Sequence, residues 1–131
     1  MVALITVAME AQGEPRQGKL AVAWVLWNRV RAGHSMTDVV YAPWQFSAWN
    51  TDSPTRMNID NIDNSLWAEC LACVLAAMYG LEPDPTKGAT FYLNKDAVLA
   101  VAGKLPGWWD SDTIHDSEIT IGRHSFRKKK I

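Results

Sequence analysis

Two carboxylates, Glu10 and Glu14, stand four residues apart in the opening stretch MVALITVAMEAQGEP, after nine residues that are apolar apart from Thr6. A segment so apolar suits a helix surrounded by other elements, and Glu10 falls at its carboxyl end. Burial disfavours the charged form of a carboxyl, and the negative pole of the helix disfavours it again, so both effects act to raise the pKa of Glu10. A carboxyl held protonated near neutral pH can give its proton to a leaving oxygen, as the general acid of a glycosidase does. The blander alternative is a partly exposed glutamate at a frayed helix end. Glu14 would stack over Glu10 on a continuous helix, but Gly13 permits a sharp turn and the residue before Pro15 is pushed out of the α region. Glu14 is therefore expected at the amino end of a second helix, where negative charge is favourable, in a structural role.

The elements that must position these groups follow from periodicity and punctuation. The first helix covers residues 1 to 11 and is stopped by Gly13 and Pro15. A second starts at Pro15 and runs through PRQGKLAVAWVLWNRVRAG, with Leu20, Ala23, Trp24, Trp27 and Val30 on one face. HSMTDVVYAP reads as a short helix capped near Thr37, and WQFSAWNTDSPTRMNIDNIDN as a long loop of the kind that is usually functional or disordered. SLWAECLACVLAAMYG is a third clear helix, starting near Asn64 or Ser65 and closed by Gly80. After the LEPDPTKG turn, ATFYLN and ITIGRHSF suit a small antiparallel pair, with about one helical turn and a Trp-bearing loop between them. The expected fold class is α+β, mainly helical, with a small antiparallel sheet of two or three strands.

The totals bound the function. A chain of 131 residues makes one domain, here spanning 1–131 with a basic C-terminal tail at 127–131. The formal net charge of -1 argues against a nucleic-acid binder, which needs a basic excess. Cys70 and Cys73 lack the other half of a zinc site, so they read as small buried thiols in a protein folded in a reducing compartment. MVALITVAMEA has no basic n-region and is too short to span a bilayer, so no signal peptide is expected. His34, His115 and His124 with Asp110, Asp112 and Asp116 match no compact ligand pattern, and neither a metal nor another cofactor is expected.

MEAQGEPRQGKLAVAWVLWNRV, APWQFSAW, GATFYLN and IGRHSF together resemble, in order and spacing, the catalytic domain of the SleB/CwlJ cell wall hydrolases, a group that includes spore cortex-lytic enzymes and lysins from bacteriophages. The resemblance covers nearly the whole chain. It implies a lysozyme-like domain that cuts peptidoglycan glycan strands, as a lytic transglycosylase between N-acetylmuramic acid and N-acetylglucosamine. Glu10 matches the family's catalytic acid/base, while Gln45, Phe46, Gly88, Ala89, Tyr92, Gly122, His124 and Phe126 match its later blocks. Ordinary glycoside hydrolysis needs two carboxyl groups and only one is well placed here, which favours the transglycosylase route unless Glu14, Asp38 or Asp52 faces Glu10.

Around Glu10, the substrate-binding set is expected to be Gln45, Phe46, Ser47, Tyr92, Asn94 and His124, with Trp44, Trp49, Trp108 or Trp109 as walls of a sugar groove or, more simply, as packing. A monomer is expected, made in a host cytoplasm as a phage endolysin and released to the wall, its basic tail approaching anionic envelope surfaces. A hydrolytic muramidase and a non-catalytic wall-binding or virion module are the alternatives.

Overall fold

The computed structural model describes residues 2–11, 13–41, 63–110 and 114–129. Five α-helices occur among them: α1 (Val2–Ala11), α2 (Arg16–Arg31), α3 (Met36–Tyr41), α4 (Asn64–Met78) and α5 (Lys95–Ala102). Three strands, β1 (Phe91–Leu93), β2 (Ile114–Ile121) and β3 (His124–Lys129), form one antiparallel sheet in the order β1-β3-β2. The fold class read from the sequence, mainly helical α+β with a small antiparallel sheet, is the one observed.

Helices α1, α2 and α4 pack on one another and hold the core. Composition explains the close approach: α1 buries Ala3, Thr6, Val7, Ala8 and Ala11, and α4 turns Cys70, Cys73, Val74 and Ala77 inward at helical spacing. The expectation of one apolar face on α2 was too narrow. Gly18 through Leu26 are nine consecutive buried residues, because α2 is enclosed by its neighbours on every side. Even Lys19 is buried, its Nζ donating to the Glu14 carbonyl at 2.7 Å and facing Glu69 Oε1 at 3.1 Å. That lysine ties the α1–α2 turn to α4.

Three boundaries differ from the sequence reading. Ser35, not Thr37, caps α3, its Oγ accepting the Asp38 N–H at 3.1 Å. The segment after β1 forms α5, a full eight residues, because Asn94 Oδ1 accepts the Ala97 N–H at 3.0 Å and Gly103 ends the helix at φ 74°. ITIGRHSF is two strands rather than one: Gly122, at φ 60°, turns the chain back so that Ile121 pairs with His124. β3 runs on to Lys129, so most of the expected tail is strand. The strand is central in the sheet and pairs Phe126 with Tyr92 of β1 and Ile119 of β2.

The β2–β3 turn is also the point where sheet and helices lock together. A Cβ placed at residue 122 would overlap Glu14 Oε2, whereas one at Gly103, also left-handed, meets nothing within 4 Å. Gly122→Ala is therefore expected to lower the unfolding free energy by about 3 kcal/mol and Gly103→Ala by about 1 kcal/mol, the difference being the clash rather than the backbone strain. Urea denaturation of the two variants checks it. Equal losses would mean that Glu14 yields freely to the added methyl group.

Candidate active site

Glu10 is the penultimate residue of α1 and is half-buried. The phenol of Tyr92, from the middle of β1, lies within reach of its charge. Burial holds the Tyr92 phenol well above its ordinary pKa, the charge of Glu10 adds to this, and the nearby Arg29 guanidinium opposes it. A phenol held in this way stays neutral beside the carboxylate.

β1 is only three residues long, so its position needs support from outside the sheet. The end of α2 supplies it. Asn28 Nδ2 donates at 2.9 Å both to the Ala89 carbonyl and to Asp84 Oδ2, and Arg29 Nε donates to the Thr90 carbonyl at 2.5 Å. Arg29 also lies 5.2 Å from the centroid of the Phe91 ring. Its burial pulls the guanidinium down to about 10, with Tyr92 acting in the other direction. Asp84 in turn organises the preceding turn, accepting from Thr86 N and Gly88 N, each at 2.8 Å, and from Thr86 Oγ1 at 2.7 Å. Asn28, Arg29 and Asp84 were not foreseen as part of the site. The available signal was a polar pair closing an otherwise apolar helix, WVLWNRV.

The second carboxylate has a different task. Glu14 is buried, and its Oε1 and Oε2 accept the Arg123 N–H at 3.0 and 3.1 Å. Its Oε1 also lies 3.1 Å from Nδ1 of His124, in ion-pair range but out of line for a hydrogen bond. The structural role expected of Glu14 is observed, but the side chain grips the β2–β3 turn instead of serving its own helix. His124 is 7 % exposed and packs edge-on against Tyr92, the ring centroids 4.9 Å apart at 88°. Most of the ring therefore faces the protein interior.

Asn94 keeps its place beside β1 but spends its carbonyl oxygen on capping α5. Trp109 is 1 % exposed, with the Arg127 guanidinium 5.3 Å and the Lys95 ammonium 5.8 Å from its ring centroid, so it packs the sheet and walls no groove. Asp38 is exposed on α3. Gln45, Phe46, Ser47, Trp44, Trp49 and Asp52 lie outside the described residues, as does the side chain of Trp108. Cys70 and Cys73 are free and buried, as expected of packing thiols, and burial pushes Cys70 up to about 11. Among the described residues no three His, Cys, Asp or Glu side chains converge as a metal set.

A helical core carrying a small sheet, with a half-buried glutamate at a helix end near a partly buried tyrosine of the sheet, defines a class that the comparisons with known proteins specify. Residues 13–127 match the Cell Wall Hydrolase family, and the chain belongs to that family. The matched span opens three residues beyond Glu10. The chain is 32% identical over 121 residues to the spore cortex-lytic enzyme of Halalkalibacterium halodurans, covering 89% of this chain and 31% of the relative. It is 30% identical over 127 residues to that of Oceanobacillus iheyensis, covering 91% and 37%. The chain thus spans about a third of the length of these curated relatives. Among solved structures it is similar to the catalytic domain of the germination-specific lytic transglycosylase SleB from Bacillus anthracis, with a TM-score of 0.66, 27% identity and coverage of 97% of this chain and 91% of that one. It shares its fold with the catalytic domain of the Bacillus cereus SleB protein, with a TM-score of 0.61, 24% identity and coverage of 97% and 88%. The resemblance carried by the four sequence blocks holds for family and fold.

Burial lowers the pKa of His124 from its ordinary value, with Glu14 opposing and Arg123 assisting. The unfolded chain thus takes up this proton at a higher pH than the folded one, and the neutral imidazole contributes stability that is present above about pH 6.5 and lost as pH falls. Thermal unfolding between pH 7 and 5 is expected to show a smaller acid-induced fall in His124→Phe than in the parent. Identical pH dependence in the two would contradict it.

Proposed function

We propose that this chain cleaves peptidoglycan glycan strands between N-acetylmuramic acid and N-acetylglucosamine, acting as a lytic transglycosylase with Glu10 as the catalytic acid/base. The observation that carries this reading is the division of labour between the two carboxylates: Glu10 is met by Tyr92, while Glu14 is taken up by Arg123 and His124. One carboxyl group suffices for the transglycosylase route. Protonated Glu10 gives its proton to the glycosidic oxygen as the bond from the anomeric carbon breaks. The resulting carboxylate then takes the proton of the muramic acid 6-hydroxyl as that oxygen bonds to the anomeric carbon, which closes a 1,6-anhydro ring and returns Glu10 to its starting state. No water is consumed. Tyr92 stands beside this carboxylate as a neutral phenol, in the place expected of a substrate contact.

Gln45, Phe46 and Ser47, together with the Asn94 amide, complete this reading as contacts to the sugars and their N-acetyl groups. The resemblance to phage lysins supports a finer reading as an endolysin that reaches the wall after release from a host cell. The similarity to a lytic transglycosylase catalytic domain supports the bond cleaved.

Glu10→Gln is expected to remain folded and to lose activity on purified peptidoglycan by about a thousandfold, since the amide cannot act as a proton donor of comparable acidity. A folded, fully active variant would overturn the assignment. The mass of the released fragments reads the route: anhydro-muramic ends lack one water relative to hydrolysed ends, and fragments carrying that water would make the enzyme a hydrolytic muramidase.

A further inference from the structure

α4 turns one side to the core and leaves an apolar stripe on the other. Leu71, Leu75, Met78 and Tyr79 recur at spacings of three and four residues, so they share a face, and they are 44, 38, 42 and 67 % exposed. Ala68 and Ala72 are exposed as well and fall at the same helical spacing. Leu81, 72 % exposed, is folded back onto the helix end by its N–H, which donates to the Ala76 carbonyl at 2.8 Å. Apolar side chains exposed one at a time are ordinary, whereas these adjoin and offer roughly 500 Å² together, a size at which an apolar patch is often functional.

The charges around the stripe narrow its occupant. Glu69 is the sole charged residue of α4, and its carboxylate faces the buried Lys19 at 3.1 Å. Beyond the helix, Glu82 is held by Arg16 in a bidentate pair that is neutral as a whole. An anionic lipid surface calls for lysines or arginines beside the apolar face, and α4 carries none. A face without charge can instead meet an identical face with no repulsion, as a two-fold contact requires. We propose that the stripe is the contact of a homodimer in which two copies of this chain pack α4 against α4, antiparallel, about a two-fold axis at Leu75. That register sets Leu75 of one copy on Leu75 of the other, Leu71 opposite Tyr79, and Ala72 opposite Met78. Small residues then face large ones, which lets the helices interdigitate, and the helix dipoles oppose each other favourably. The contact buries roughly 1,000 Å² over both copies, the lower end for a specific interface, so the dimer forms reversibly with concentration. The inference stands apart from the catalytic reading of Glu10.

Sedimentation velocity of the purified chain between about 1 and 500 μM tests it, and the average mass is expected to rise over that range from one chain towards two. Leu75→Glu sets two like charges against each other at the axis and is expected to raise the dissociation constant about a hundredfold or more, with circular dichroism as the check on folding. Val101→Glu, at an exposed apolar residue of α5 outside the stripe, is expected to leave it unchanged. Because Leu75 faces its own copy, Leu75→Lys is expected to be a single chain alone and to pair again when mixed with Leu75→Glu. A single-chain mass at every concentration overturns the inference, as does a dimer that Leu75→Glu leaves intact or a mixture of the two charged variants that does not pair. A single chain that sediments with phosphatidylglycerol vesicles through this stripe overturns it in favour of a lipid surface. If Leu75→Glu does not fold, Met78→Glu takes its place, and failure of both to fold overturns the inference by making the stripe part of the core.

Discussion

The grip of the Glu14 carboxylate on the β2–β3 turn is the interaction on which the rest of the structure depends. A carboxylate this buried is costly unless its lone pairs are met, and here the Arg123 N–H donates to both oxygens, with the His124 ring beside them. The turn can approach only because residue 122 has no side chain. On the other side of the same residue, the Glu14 carbonyl receives the buried ammonium of Lys19, which faces Glu69 of α4. One short segment between two helices thus joins the helical core, the hairpin and α4. Removing the carboxyl group would leave the Arg123 N–H with no acceptor, and removing only its charge would weaken that bond.

That junction also separates the chemistry from the architecture. Two glutamates four residues apart would ordinarily compete for the same surroundings, each disfavouring the ionisation of the other. The break at Gly13 and Pro15 sends them to different partners, Glu14 to the hairpin turn and Glu10 to the phenol of Tyr92. The carboxyl proposed to move protons is left beside a neutral phenol, while the one that bears load is held by the backbone of the hairpin turn. The end of α2 contributes from a third direction, Asn28 and Arg29 holding the backbone that leads into β1 and therefore the strand on which Tyr92 stands.

The helices were legible in the sequence because each carries its own punctuation: Pro15 before α2, Gly80 after α4, and an apolar period between. The family was legible because four motif blocks fall in order. What escaped were contacts made across long sequence separations. Nothing local announces that Glu14 meets Arg123, 109 residues on, or that Arg29 meets Thr90. The burial of His124 was equally illegible, since a polar residue in a family block gives no sign of which way it faces. Trp109 was weighed as a groove wall for its ring, yet the cations that stack near it are side chains of the protein's own sheet and of α5. The doubling of ITIGRHSF into two strands turns on the φ of a single glycine, which composition alone does not report.

The measurement that bears most directly on the separation of the two carboxylates is thermal unfolding of Glu14→Gln beside Glu10→Gln, with the parent as reference. If Glu14 holds the junction, Glu14→Gln lowers the midpoint by about 5 °C or more while Glu10→Gln stays within about 2 °C of the parent. A Glu14→Gln protein as stable as the parent, or a fall of equal size in both variants, would contradict the division of tasks between them.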